Sequence, residues 1–283
     1  MKQDVESILK QSIRIAPLPV IFNRINAAVE DPECSFAQIA RIISVDAALS
    51  ARILKLANSS LFGFPSQIET ITHAVTVIGM AQIRDLVLAT TVTDHFRKMP
   101  RDLIDMKSFW IHSIACGLAS RIIATYRHES NVERYYVLGM FHDLGRLVLY
   151  LNFPEQAVEA QSQARSQEKL LFKLEQDVIG CDHAELGGAL LKKWQLPESL
   201  REPVLFHHAP SQAVHFPVEA AILHAGDLIV HALGLGFSGD PFVPTLDPRA
   251  WEKVDLPSSL LPAIVGQMDR QLPEAVQMFS PAN

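Results

Sequence analysis

The run VERYYVLGMFHDLGRLVLYL, residues 132–151, constrains this chain more than any other stretch. Between Arg134 and Arg146 it is apolar or aromatic around every face a helix would present, interrupted only by Gly139, Gly145 and the adjacent pair His142-Asp143. A helix that is apolar all round is a buried helix. The spacing therefore predicts an imidazole and a carboxylate inside a core, where each costs on the order of several kcal/mol unless it finds a partner. The rest of the chain has to supply those partners.

With 283 residues the chain can form one large or two modest domains, and 48% apolar against 20% charged residues leaves no compositional case for disorder. The net charge of -6 gives no general attraction to nucleic acid, and no long basic patch offsets it, so direct nucleic-acid binding is not expected. Cys34, Cys116 and Cys181 are far apart, odd in number and lack CxxC spacing, so neither a disulfide framework nor a zinc knuckle is indicated, and a reducing cytoplasm fits. The start, MKQDVESILKQ, is polar where a signal peptide needs an apolar run, and no stretch approaches 18 uninterrupted apolar residues. The expectation is a soluble cytoplasmic protein with no membrane partner.

The pattern is all-α. Val20, Ile21, Ile25 and Val29 recur at helical spacing. Ser35 and Asp46 are placed to cap the helices FAQIARIIS and AALSARILKLAN, Asn58-Ser59-Ser60 reads as a turn, and further helices are expected near 71–77 and 81–96. The apolar pattern lapses at Met99-Pro100-Arg101-Asp102, where Pro100 disfavours helix at the residue before it. Beyond this seam, helices are expected at about 105–127, 132–151, 155–177, 183–193, 198–208 and 216–234, the third polar enough to lie on the surface. After Gly234 the Gly and Pro content predicts only short helical pieces. The reading is a helical N-terminal subdomain over 1–100, a second over 101–234, and a C-terminal extension over 235–283.

Several helices bring histidine or aspartate inward. The stripe Ala115, Cys116, Ala119, Ile122, Ile123 leads back one turn to His112. In 216–234 the inward positions include Ala220, Leu223, His224 and Asp227, with His231 one turn on. His183 opens DHAELGGALLKKW behind Asp182 as N-cap, and His207-His208 close the helix before Pro210. Convergence of imidazoles and carboxylates from facing helices is how bundles build metal sites, and this mixture suits iron, manganese, zinc or nickel. A plainer reading stands beside it. His142-Asp143 can be a hydrogen-bonded pair that fixes packing, His183 a first-turn residue, His207-His208 a C-terminal cap favoured by the helix dipole, and His224 and His231 structural.

The order His112, then His142-Asp143, then Asp227 resembles the H…HD…D pattern of the HD superfamily of metal-dependent phosphohydrolases. His183, His207 and His208 resemble the extra histidines of its two-metal HD-GYP branch. The blocks APLPVIFNRI, AQIARIISVDAALSARILKLANSSLFG, TITHAVTVIGMAQIRDLVLA, MFHDLGRLVLY, DHAELGGALLKKWQLPESLREPVLFHHAP and ILHAGDLIV together resemble the HDOD (HD-related output domain) family, over about residues 15 to 230. That resemblance implies an all-helical bacterial signal-transduction module: an N-terminal helical subdomain packed on an HD-like bundle, working mainly through a signalling protein partner or a small phosphorylated ligand. It implies a pocket in which His112, His142, Asp143, His183, His207, His208 and Asp227 hold one or two divalent metal ions. The enzymatic alternative is a phosphohydrolase acting on a nucleotide or other phosphoester, in which Asp143 bridges two ions and orients water while Arg146 clamps a phosphate oxygen. Two departures argue against cyclic-dinucleotide hydrolysis. HHAPSQAVHFP stands where a GYP element would be, and Arg146 replaces the lysine of HDxGK, a guanidinium that cannot exchange a proton as an amine can.

Overall fold

The computed structural model describes residues 5, 17–96, 99 and 104–279, and no strand occurs among them. Contacts divide the chain into two units, one comprising the described residues of Pro17–Arg97 and Asp269–Asn283, the other those of Lys98–Met268. Except for Met99, the expected seam at 99–102 lies outside the described residues, as does nearly all of the polar N-terminal stretch.

The smaller unit contains α1 (Val20–Glu30), α2 (Phe36–Ser44), α3 (Ala47–Ala57), α4 (Ile71–Ile78) and α5 (Met80–His95). Local chemistry sets their starts. Ser35 and Gln38 form a capping box, Asp46 accepts from Leu49 N at 3.0 Å, and Thr70 accepts from His73 N at 3.1 Å. Phe22, Ile25, Ile39, Ile43, Ile53, Leu56, Ile83 and Leu86 form its buried interior. Asn58 fixes the turn after α3, its amide accepting from Ile68 N at 2.7 Å and donating to Ile68 O at 2.8 Å. No single helix among the described residues is long and apolar enough to cross a membrane.

The larger unit is built around α6 (Met106–Tyr126), buried along almost its whole length, with α7 (Val132–Phe141) and α13 (Pro217–Leu233) packed on it. Between these in sequence lie α8 (Leu144–Asn152), α9 (Pro154–Gln167), α10 (Leu171–Val178), α11 (His183–Lys193) and α12 (Glu198–Leu205), and α11 packs on α8 and α12. The chain continues through α14 (Pro248–Val254) into α15 (Leu261–Phe279).

Three expectations are corrected here. The run 132–151 is two helices, broken at His142-Asp143. The segment 155–177 is also two, joined through Glu168 in the left-handed region, and the second buries Leu171, Leu174 and Glu175 and so is not a surface helix. The tail carries a 19-residue helix despite Pro273. Ile264, Met268, Ala275 and Met278 are buried at helical spacing along it, and burial of that stripe outweighs one missing N–H.

Candidate metal centre

The break between α7 and α8 positions the site. Asp143 occupies the N-cap of α8, yet its side chain makes no capping hydrogen bond, although N-cap aspartates ordinarily accept from the first turn. Its carboxylate faces the interior. Oδ2 lies 3.3 Å from His142 Nε2 and 3.8 Å from His112 Nε2, and Oδ1 lies 3.1 Å from His183 Nε2. From α13, Asp227 Oδ1 approaches His112 Nε2 at 3.2 Å, His142 Nε2 at 3.4 Å and His231 Nδ1 at 3.2 Å. His183 begins α11, and His207-His208 follow α12; their rings stack edge and face against one another, with centroids 3.9 to 5.3 Å apart. All seven residues singled out as ligands in the sequence thus meet in one cluster, six of them buried and His208 partly so.

Four of the rings are oriented by a bond on the nitrogen turned away from the cluster or by their packing. His142 Nδ1–H donates to Gly139 O at 2.7 Å, His207 Nδ1–H to Val204 O at 2.7 Å, and His183 Nδ1–H to Glu175 Oε2 at 2.5 Å. Nε2 of each is left facing inward, an arrangement typical of metal-ligating histidines. The fourth, His112, stands edge-on to His231. His112 Nε2, His142 Nε2, Asp227 Oδ1 and His231 Nδ1 are all buried without a hydrogen-bond partner. The three imidazole nitrogens nevertheless lie 3.2 to 3.4 Å from Asp227 Oδ1, in contact but without hydrogen-bond geometry. These four converging atoms, three imidazole nitrogens and a carboxylate oxygen, fit the donor set of a divalent transition metal.

The electrostatics divide the histidines. Burial pushes the Asp143 carboxyl up, but Arg146 and His142 reverse this and hold it well below the usual carboxylate range. Asp227 is likewise raised by burial and brought well below by His112 and His142. Burial and Arg146 depress His183, while Glu175 and Asp143 carry it up to about 9. His207 is pushed down to about 3 by burial, His142 and His183, and His208 falls well below its ordinary value for similar reasons. His207 and His208 therefore keep free lone pairs at neutral pH. Cys116 also approaches His142 and Asp227, but burial raises its thiol and leaves it protonated.

Arg146 points inward. Nη1 donates to Ser238 O at 2.9 Å and Oγ at 2.8 Å and lies 3.5 Å from Asp143 Oδ2, Nη2 lies 3.0 and 3.1 Å from the two nitrogens of His183, and Nε is 3.5 Å from Glu175 Oε1. The strap 236–240 that supplies Ser238 lies directly on α6. Gly236 has a positive φ of 69°, and a Cβ there would strike His112 N and Ser108 O. Phe237 N donates to Ser108 O at 3.1 Å, Gln161 Nε2 to Gly239 O at 3.3 Å, and Leu171 N to Asp240 Oδ2 at 3.0 Å.

The turn from α12 to α13 sets His207-His208 relative to Asp227, and Glu202 holds it. Its carboxylate accepts from the backbone N–H groups of Val214, His215 and Phe216. Burial raises this acid, but the three donors bring it below the ordinary 4.5. A depressed carboxyl contributes stability that is complete above about pH 4.5 and fades as pH falls through the folded-state value. Glu202→Gln should therefore cost about 1–2 kcal/mol at pH 7, with the deficit shrinking in urea titrations repeated toward pH 3. A deficit independent of pH would refute the assignment.

A model of the HDOD domain matches residues 15–210. The chain belongs to the HDOD family. An HDOD domain protein of unknown function from Geobacter sulfurreducens, whose crystal structure is known, superposes with a TM-score of 0.76 at 24% identity over 98% of each chain, a likeness of fold. An uncharacterised protein of Treponema pallidum is 28% identical over 198 residues, 69% of this chain and 37% of its own. A protein of Vibrio cholerae named cyclic di-GMP phosphodiesterase CdgJ is 24% identical over 142 residues, half of this chain and 31% of its own. The chain thus spans about a third of the length of these two relatives.

In this HDOD chain, sequence reasoning missed Glu175, Ser238 and the place of His231 in the cluster. Glu175 follows Leu171 and Leu174 at helical spacing, a signal masked by the polar residues upstream. His231 sits one turn beyond Asp227, and only burial shows that it joins it. Nothing local marks Ser238. His224 is structural: its Nδ1 donates to His207 O at 2.8 Å and its Nε2 accepts from Asp247 N at 3.1 Å.

Proposed function

We propose that this chain is a bacterial, cytoplasmic signal-transduction module that holds a divalent metal ion at His112, His142, Asp143 and Asp227 and works through a signalling protein partner or a small phosphorylated ligand. The observation that carries this reading is the convergence of His112 Nε2, His142 Nε2 and Asp227 Oδ1, none with a hydrogen bond, beside the Asp143 carboxylate, with His112, His142, Asp143 and Asp227 each 1–2% exposed. A closed centre suits an ion that fixes one conformation for a partner to read better than it suits rapid turnover. The chain's own residues orient the imidazoles through Gly139, Val204 and Glu175, keep Asp143 and Asp227 ionised, and exclude water. A divalent ion bound there would supply Lewis acidity toward a phosphoester oxygen and acidify a bound water.

One observation favours a second reading, a metal-dependent phosphohydrolase: Asp143 presents one oxygen to His142 and the other to His183, as a carboxylate bridging two ions would. Elemental analysis of purified protein against Asp227→Asn, followed by phosphodiesterase assays with bis(p-nitrophenyl) phosphate and added manganese, separates these. Stoichiometric metal lost in the variant, without turnover, is expected. Folded wild-type protein that takes up no ion sinks the metal centre, and robust turnover moves the assignment to the hydrolase.

A further inference from the structure

We propose that the guanidinium of Arg146 takes the place of a second cation, so that the cluster accepts one divalent ion and not two. This rests on the metal reading above and specifies it.

The two halves of the cluster differ in what they leave unsatisfied. The unpartnered atoms among its histidines and aspartates are His112 Nε2, His142 Nε2, Asp227 Oδ1 and His231 Nδ1, all on the His112 side. On the other side His183, His207, His208, Asp143 and Glu175 have no unpartnered buried atom. His183 Nδ1 meets Glu175 Oε2 at 2.5 Å, and His183 Nε2 lies 2.9 Å from His208 Nε2, 3.3 Å from His207 Nε2 and 3.1 Å from Asp143 Oδ1. That half is tightly packed within the protein: the one Nε2 proton of His183 is shared among three neighbours, and Arg146 Nε lies among them without a hydrogen bond.

It also already contains a cation. Arg146 Nη2 lies 3.0 and 3.1 Å from the nitrogens of His183, and the same guanidinium is 3.5 Å from both Asp143 and Glu175. Those two carboxylates are the negative charge a second divalent ion would need. An ion bound by His183 and Asp143 would face this positive group in a low-dielectric interior. A lysine could relieve the repulsion by releasing a proton, whereas arginine cannot. Nor can Arg146 swing aside while Ser238 O and Oγ hold Nη1 at 2.9 and 2.8 Å.

The test is ion stoichiometry after reconstitution with excess manganese and removal of the free ion, read by elemental analysis and by electron paramagnetic resonance. Wild type is expected to hold one ion per chain with an isolated-ion spectrum, and His208→Ala is expected to hold the same. Arg146→Met, which keeps the stem and removes the charge, is expected to rise to two ions with the exchange-coupled signal of a neighbouring pair. Two ions in wild type, one ion in well-folded Arg146→Met, or a drop in His208→Ala would each overturn the proposal. If Arg146→Met does not fold, the wild-type count and the His208→Ala comparison still decide it. Wild type with no ion would instead overturn the metal reading on which it rests.

Discussion

Gly145→Ala is expected to destabilise the larger unit by about 3 kcal/mol or more, or to prevent its folding. Two residues after Asp143, α8 crosses α11 backbone to backbone. A Cβ at Gly145 would land on His183 O and lie 2.6 Å from Gly187 N and 2.9 Å from His183 C. None of these is the yielding end of a side chain. Relief would require α11 to move bodily, taking His183 away from Glu175 and Asp143. Gly187→Ala is the matched control, since its nearest obstacle is the Val204 side chain at 3.1 Å, and a smaller loss is expected there. Urea midpoints of the two variants and wild type are the measurement. A Gly145→Ala protein that unfolds with wild type would show that the helices are not packed this closely.

Asp143→Ala is expected to cost about 3–5 kcal/mol even with a chelator present throughout, because the loss does not depend on an ion. Asp143 is the carboxylate shared by His142, His183 and Arg146. Without it a buried guanidinium 2% exposed keeps, among the described residues, only Glu175 as an acidic neighbour within 4 Å, and His183 loses Asp143 and keeps Glu175. Asp143→Asn should cost less, since the amide oxygen still accepts. Chelator-treated wild type and both variants compared by thermal and urea unfolding give the answer. A loss below about 1 kcal/mol in Asp143→Ala would mean that Arg146 is neutralised by other groups.

What could be read in advance follows from how local each signal is. Ser35, Asp46 and Asp182 cap the helices they precede, because a cap is decided within three residues. His112 and Asp227 were placed inward by the apolar stripes of their own helices, and the structure brings them together. The break at His142-Asp143 was invisible because the apolar run continues across it. The Gly and Pro content after Gly234 predicts only short helical pieces, and only the burial of Met268 and Ala275 on either side of Pro273 shows why the last helix carries on. Ser238 reaches Arg146 across 92 residues of sequence, a distance at which no pattern within the chain speaks.

The strap has a practical consequence for anyone expressing this chain in pieces. A fragment cut at residue 210, where the family match ends, would discard Asp227, His231 and Ser238 together. His112 would lose the nearer of its two carboxylates and Arg146 its two anchoring oxygens, so the shortened protein would present a half-built centre. Its inactivity or poor solubility would then reflect the choice of boundary, and not the chemistry of the intact chain.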